Sequence, residues 1–88
     1  MLDITEVRVK KLSTSNRLKG IASVTFGGDF VVRGIKIVES QRGLFVAMPS
    51  EQDAEGNFKD IAHPINVIFR QRLQNAILDK FNSLEDEE

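Results

Sequence analysis

The sequence predicts an α+β domain: an antiparallel β-sheet of four to five strands followed by one C-terminal amphipathic helix. Three observations lead there. Residues 4–48 hold four runs rich in β-branched and aromatic residues, broken by Gly, Ser and Asn. Residues 65–84 change to apolar spacings of three and four. The strands all precede the helix, an order that suits an antiparallel sheet rather than alternating parallel units.

The first strand is expected over residues 4–11, where Val7 and Val9 oppose Glu6, Arg8 and Lys10. A polar turn follows at Ser13 to Asn16. Residues 20–26 form the second strand, with Ala22, Val24 and Phe26 against Ser23 and Thr25. Gly27-Gly28-Asp29 supplies residues that tolerate positive φ, as a tight hairpin requires. Residues 30–38 form a third strand that is apolar on both faces, which implies a central strand covered on both sides. Gly34 inside it points to a bulge or a close backbone approach. Ser40 to Gly43 turns the chain into a fourth strand, Leu44 to Met48, and Pro49 ends it.

Residues 50–57 read as a polar loop, and Phe58 to Ile61 as a short fifth strand. Pro64 sets φ on the way into the helix, and Asn66 is the expected N-cap. Ile65, Ile68, Phe69, Leu73, Ala76, Ile77, Phe81 and Leu84 make an apolar stripe over about five turns. One helix covers one face of such a sheet, so the second face or an edge strand calls for a partner. A homodimer is the expected solution. A chain of 88 residues buries only about 60–65% of its unfolded surface, and a partner adds burial. Residues 1–84 are read as a single domain and 85–88 as a disordered acidic tail.

Composition narrows the function classes. The chain has no Cys, so disulfides and thiolate zinc sites are excluded. No apolar run approaches the roughly 20 residues of a membrane span, and the N-terminus lacks a signal-peptide pattern, so a cytoplasmic location is expected. Charge is uneven: residues 1–48 hold eight Lys or Arg against four Asp or Glu, residues 49–88 four against nine.

The catalytic inventory is thin. His63 is the only histidine, and with Asp60 it supplies too few ligands for a tight metal site. A hydrogen bond that orders the turn into the helix is the expected role for it. Asp60 is expected to cap a turn. No glycine arrangement makes a phosphate loop or dinucleotide fingerprint. Neither an enzyme, a cofactor, a metal nor a small-molecule substrate is expected. The basic residues remain: Arg8, Lys10 and Lys11, then Arg17 and Lys19, then Arg33, Lys36 and Arg42, and Arg70 and Arg72 on the helix. Arg70 follows Asn66 by one turn and can approach an anion at the helix start. Along the chain, no aromatic is interleaved with these cations as in a single-strand stacking platform.

At Gly43-Leu-Phe-Val-Ala-Met-Pro-Ser50 and Asp60-Ile-Ala-His-Pro-Ile-Asn66 the sequence resembles the stage V sporulation protein G family (SpoVG, septation proteins). The resemblance runs from about residue 2 to 82 and includes Ile4 to Lys10, Ala22 to Thr25 and Phe30 to Val32. It implies an antiparallel sheet with a C-terminal helix, a cytoplasmic bacterial homodimer, and a role in septum formation and, in spore formers, in sporulation. It also implies a non-enzymatic regulator that binds DNA or RNA. After the Pro-Ser pair many family members carry Lys-Arg, implicated in nucleic-acid binding, whereas Glu51 and Gln52 stand here. Binding is then expected to rest on Arg8, Lys10, Arg70 and Arg72, through backbone phosphates. A protein-interaction module in septation without nucleic acid is the second expectation, favoured by Glu51 and compatible with the acidic tail.

Overall fold

The computed structural model describes residues 1–13 and 16–84. The acidic tail and part of the turn expected at Ser13 to Asn16 lie outside those residues. Strands β1 (Ile4–Lys11), β2 (Leu18–Phe26), β3 (Phe30–Ser40) and β4 (Gly43–Ala47) form one antiparallel sheet in the order β1-β2-β3-β4. Strands β5 (Ser50–Gln52) and β6 (Phe58–Asp60) pair as a separate two-stranded sheet. Helix α1 (Val67–Ser83) closes the described chain. The α+β class and the C-terminal helix agree with the sequence reading.

The hydrophobic core lies between one sheet face and the helix. Ala22, Val24 and Phe26 come from β2, Ile35 and Ile37 from β3, and Phe69, Leu73 and Ile77 from α1. Alternation along β2 and a spacing of four along α1 bring these sets together. The Phe26 and Phe69 rings meet at 5.9 Å between centroids, tilted by 42°. Val7, Val9, Leu44 and Val46 pack at the margin.

Three glycines shape the sheet. Gly27 and Gly28 both take positive φ, +60° and +73°. Asp29 N–H bonds back to the Phe26 carbonyl at 3.0 Å, which closes the β2–β3 hairpin. The Thr5 hydroxyl pins this turn to β1: it donates to the Thr25 carbonyl and accepts from Gly28 N–H. Gly34, at φ +76°, sits in a register shift between the Ala22–Ile35 and Val24–Val32 pairs. This is the bulge its place in a strand implied.

The bulge also corrects one expectation. Within this chain the helix covers only one face of the third strand. The extra residue lets Val32, Ile35 and Ile37 all turn inward, leaving Val31 exposed on the outer face, while Phe30 stands exposed at the rim of the inner face, in one cavity with Phe26 and Val32. The helical stripe needs a second correction. Phe69, Leu73 and Ile77 are buried, but Ile68 is 67% exposed and Ile65 is 89% exposed. Ile68 is rotated about 100° from Phe69 around the axis, and Ile65 precedes the N-cap.

The polar loop expected over 50–57 instead contains β5. Its turn is ordered by Asp53, whose Oδ1 accepts from Glu55 N–H and Asn57 N–H, both at 2.9 Å. Asp60, expected to cap a turn, is instead a strand residue paired with Ser50. Asn66 caps the helix as expected: its Oδ1 accepts from Phe69 N–H at 2.7 Å. At the far end, the Lys11 ammonium lies 4.6 Å from the Phe81 ring centroid and donates to the Leu84 carbonyl at 3.1 Å. This contact ties β1 to the helix C-terminus, where cations are favourable.

Candidate nucleic-acid interface

The four candidate cations stand on two different parts of the molecule. Val7 and Val9 face the core opposite Val24 and Ala22, so Arg8 and Lys10 project from the outer sheet face opposite Ser23 and Ile21. Arg70 and Arg72 are exposed positions of α1, on the covered side of the sheet.

Three of the four are engaged. Arg8 Nε lies 3.3 Å from Glu6 Oε1, with Nη2 on the other oxygen at 3.4 Å. Both side chains are well exposed, so the pair contributes little and gives way easily to a better anion. Arg70 Nη2 donates to the Pro64 carbonyl at 3.3 Å. His63 Nδ1 lies 3.0 Å from the same oxygen, which suits the tautomer protonated there. This is the turn-ordering contact expected of His63. Arg72 Nη1 reaches the Met1 thioether and lines a cleft beside β1 that also holds Glu6 and Asp79. The Lys10 side chain has no ion-pair or hydrogen-bond partner among the described residues.

The cross-strand register adds a cation that the linear pattern leaves unremarkable. Lys10 faces Ile21, Ile21 faces Lys36, and Lys36 faces Ala47. One row across all four strands thus carries two lysines, two strand spacings or about 10 Å apart. Like that of Lys10, the Lys36 side chain has no ion-pair or hydrogen-bond partner among the described residues.

The β5–β6 hairpin has the opposite character. Glu51 faces Lys59 across the pair, and Asp53 is committed to its turn. At Glu51 and Gln52 this hairpin presents a carboxylate and an amide.

A second surface is apolar. A cavity of about 400 Å³ opens beside the start of the helix, lined by Met1, Leu2, Phe30, Met48, His63 and Ile65 among others. Val67 and Ile68 stand exposed on the adjoining first turn. No group of three His, Cys, Asp or Glu side chains able to hold a metal occurs among the described residues. No described helix is long and apolar enough to cross a membrane.

Comparison with known proteins decides the family. The SpoVG family model matches residues 2–83. The chain belongs to the SpoVG family. It is 52% identical over 87 residues to a protein of Thermoanaerobacter pseudethanolicus, covering 99% of this chain and 95% of that one. It is 51% identical over 83 residues to one of Acetivibrio thermocellus, covering 94% and 88%. A third, from Clostridium acetobutylicum, is 48% identical over 87 residues, covering 99% and 92%. All three bear the name "Putative septation protein SpoVG". A septation-related role follows for this SpoVG-family chain, and its fold and both signature segments lie within the matched span.

Proposed function

We propose that this SpoVG-family chain is a non-enzymatic, cytoplasmic homodimer that regulates septum formation, and sporulation where the host makes spores, by binding DNA or RNA through backbone phosphates. The observation that carries the reading is the contrast between its two open surfaces. The outer sheet face bears Arg8, Lys10 and Lys36. The surface beside the helix start is apolar, with Phe30, Ile65, Val67 and Ile68 exposed.

That contrast favours a different partner for each. A two-fold copy laid on the sheet face brings Arg8, Lys10 and Lys36 close to their own copies, a like-charge arrangement that counts against that face as the dimer seam. The same copy laid on the apolar surface meets no like charge and removes large exposed side chains from water. The sheet face is then left to a polyanion. Occupancy, not chemistry, is the mechanism.

Sedimentation velocity at micromolar concentration tests the dimer, and Ile65→Asp with Ile68→Asp is expected to give a folded monomer. Titration of labelled DNA and RNA at about 50 mM and about 200 mM salt tests the polyanion reading, with a steep loss of affinity expected. The alternative, a protein-interaction module in septation, draws on the anionic Glu51 of the hairpin. Absence of binding at the lower salt leaves that alternative standing.

A further inference from the structure

The outer sheet face brings together residues that the chain keeps apart. Next to the Lys10–Ile21–Lys36 row runs a second row, in which Leu18 faces Val38 and Val38 faces Phe45. Phe45 is 39% exposed, as is Ile21. Beyond this row, at the end of the sheet, Arg17 and Arg42 line a shared shallow cleft with Glu39, Ser40 and Gln41. Arg17 Nε is anchored on the Glu39 carbonyl at 2.9 Å. An apolar row ending in an aromatic ring is thus bracketed by lysines on one side and arginines on the other. The interleaving missing along the sequence is made by strand register.

From this arrangement we infer that the outer face of the β1–β4 sheet is a single-strand platform: Phe45 stacks a base, while Lys10 and Lys36 on one flank and Arg17 and Arg42 on the other take the backbone. The inference rests on the nucleic-acid reading above and narrows it to a class of ligand and a face. Charge complementarity names the occupant, since a polyanion relieves the repulsion that a second copy incurs. The geometry selects single strands. The row of side chains on the sheet face carries no helix or ribbon of its own into a groove, and a paired base offers its face to no side chain. Unpaired bases offer a π-face for Phe45, whatever their sequence.

The test uses the full chain and a fluorescein-labelled, mixed-sequence single strand of about 16 nucleotides, in DNA and RNA forms, with the matching duplex as comparison. Single strands are expected to bind more tightly than duplex. Phe45→Ala is expected to weaken single-strand binding by about 5- to 150-fold. Lys10→Glu with Lys36→Glu is expected to lower the salt slope by about 1.4, two phosphate contacts on a single strand. The chain has no Trp and no Tyr, so Phe45→Trp places a lone reporter on the platform. It is expected to retain binding, with emission quenched in step with saturation.

Saturable binding with no quenching, or duplex bound as tightly as single strand, overturns the platform and leaves the wider nucleic-acid reading intact. The same holds if Arg70→Glu with Arg72→Glu abolishes binding while the sheet variants do not change it. No binding of any form at low salt overturns both. Unchanged circular dichroism in the sheet variants separates loss of contact from loss of fold.

Discussion

Gly20 lies against the Phe81 ring: a Cβ at this position comes within 3.2 Å of the ring edge and 3.2 Å of the Lys10 carbonyl oxygen. The missing side chain on β2 is what lets the last turns of α1 settle on the sheet. Gly20→Ala is expected to destabilise the fold by about 1–3 kcal/mol through overpacking, despite the gain in strand propensity. Urea unfolding of Gly20→Ala, Phe81→Leu and the double variant checks this. The double variant is expected to recover part of the loss.

Ile68 and Ile77 read alike in the sequence but sit in opposite environments, with Ile77 fully buried. Ile77→Ala is expected to cost about 2–5 kcal/mol. Ile68→Ala is expected to change monomer stability by about 0.5 kcal/mol or less while weakening self-association. Unfolding curves at two protein concentrations separate the two effects.

The helix has no acidic residue in its first turn, and Asn66 holds its N-cap. Asn66→Ala is expected to cost about 1 kcal/mol. Asn66→Asp keeps the cap and adds a favourable charge at the positive end of the helix, so its melting temperature is expected to equal or exceed that of the parent chain.

Glu51→Lys with Gln52→Arg introduces the basic pair that the family resemblance implies at these positions. Glu51 faces Lys59 across the hairpin, so the double variant sets two ammonium groups opposite each other. A small stability loss, roughly 0.2–1 kcal/mol, is expected. Affinity for nucleic acid is expected to rise, with a salt slope steeper by about 0.7 per new phosphate contact on a single strand. Isothermal titration at two salt concentrations checks both the direction and the slope.

Much of the fold is legible in local chemistry. The alternation around Val7 and Val24, the paired glycines at 27 and 28, and the Asn66 cap each announce themselves within a few residues. What escaped depends on separations in three dimensions. Ile68 matches a helical stripe yet faces outward, because the core line through Phe69, Leu73 and Ile77 is narrower than the apolar pattern. Strand β5 is polar throughout and is held by its pairing with β6, which its own composition does not signal. The candidate site was legible only in part. Lys10 is visible as an outward strand residue, but its alignment with Lys36, and Phe45 one row away, follow from register across three hairpins. A bulge signal at Gly34 was available, and its effect on which β3 residues face outward was the missing step.

The meander order has a consequence for synthesis. Each strand of the large sheet pairs with its neighbour in sequence across a short loop, so the ladder can close without the helix. The segment that shields Val24, Ile35 and Ile37 is the last described element to emerge. Until it docks, the nascent chain displays a greasy, half-built surface that is open to misassembly or to capture by chaperones.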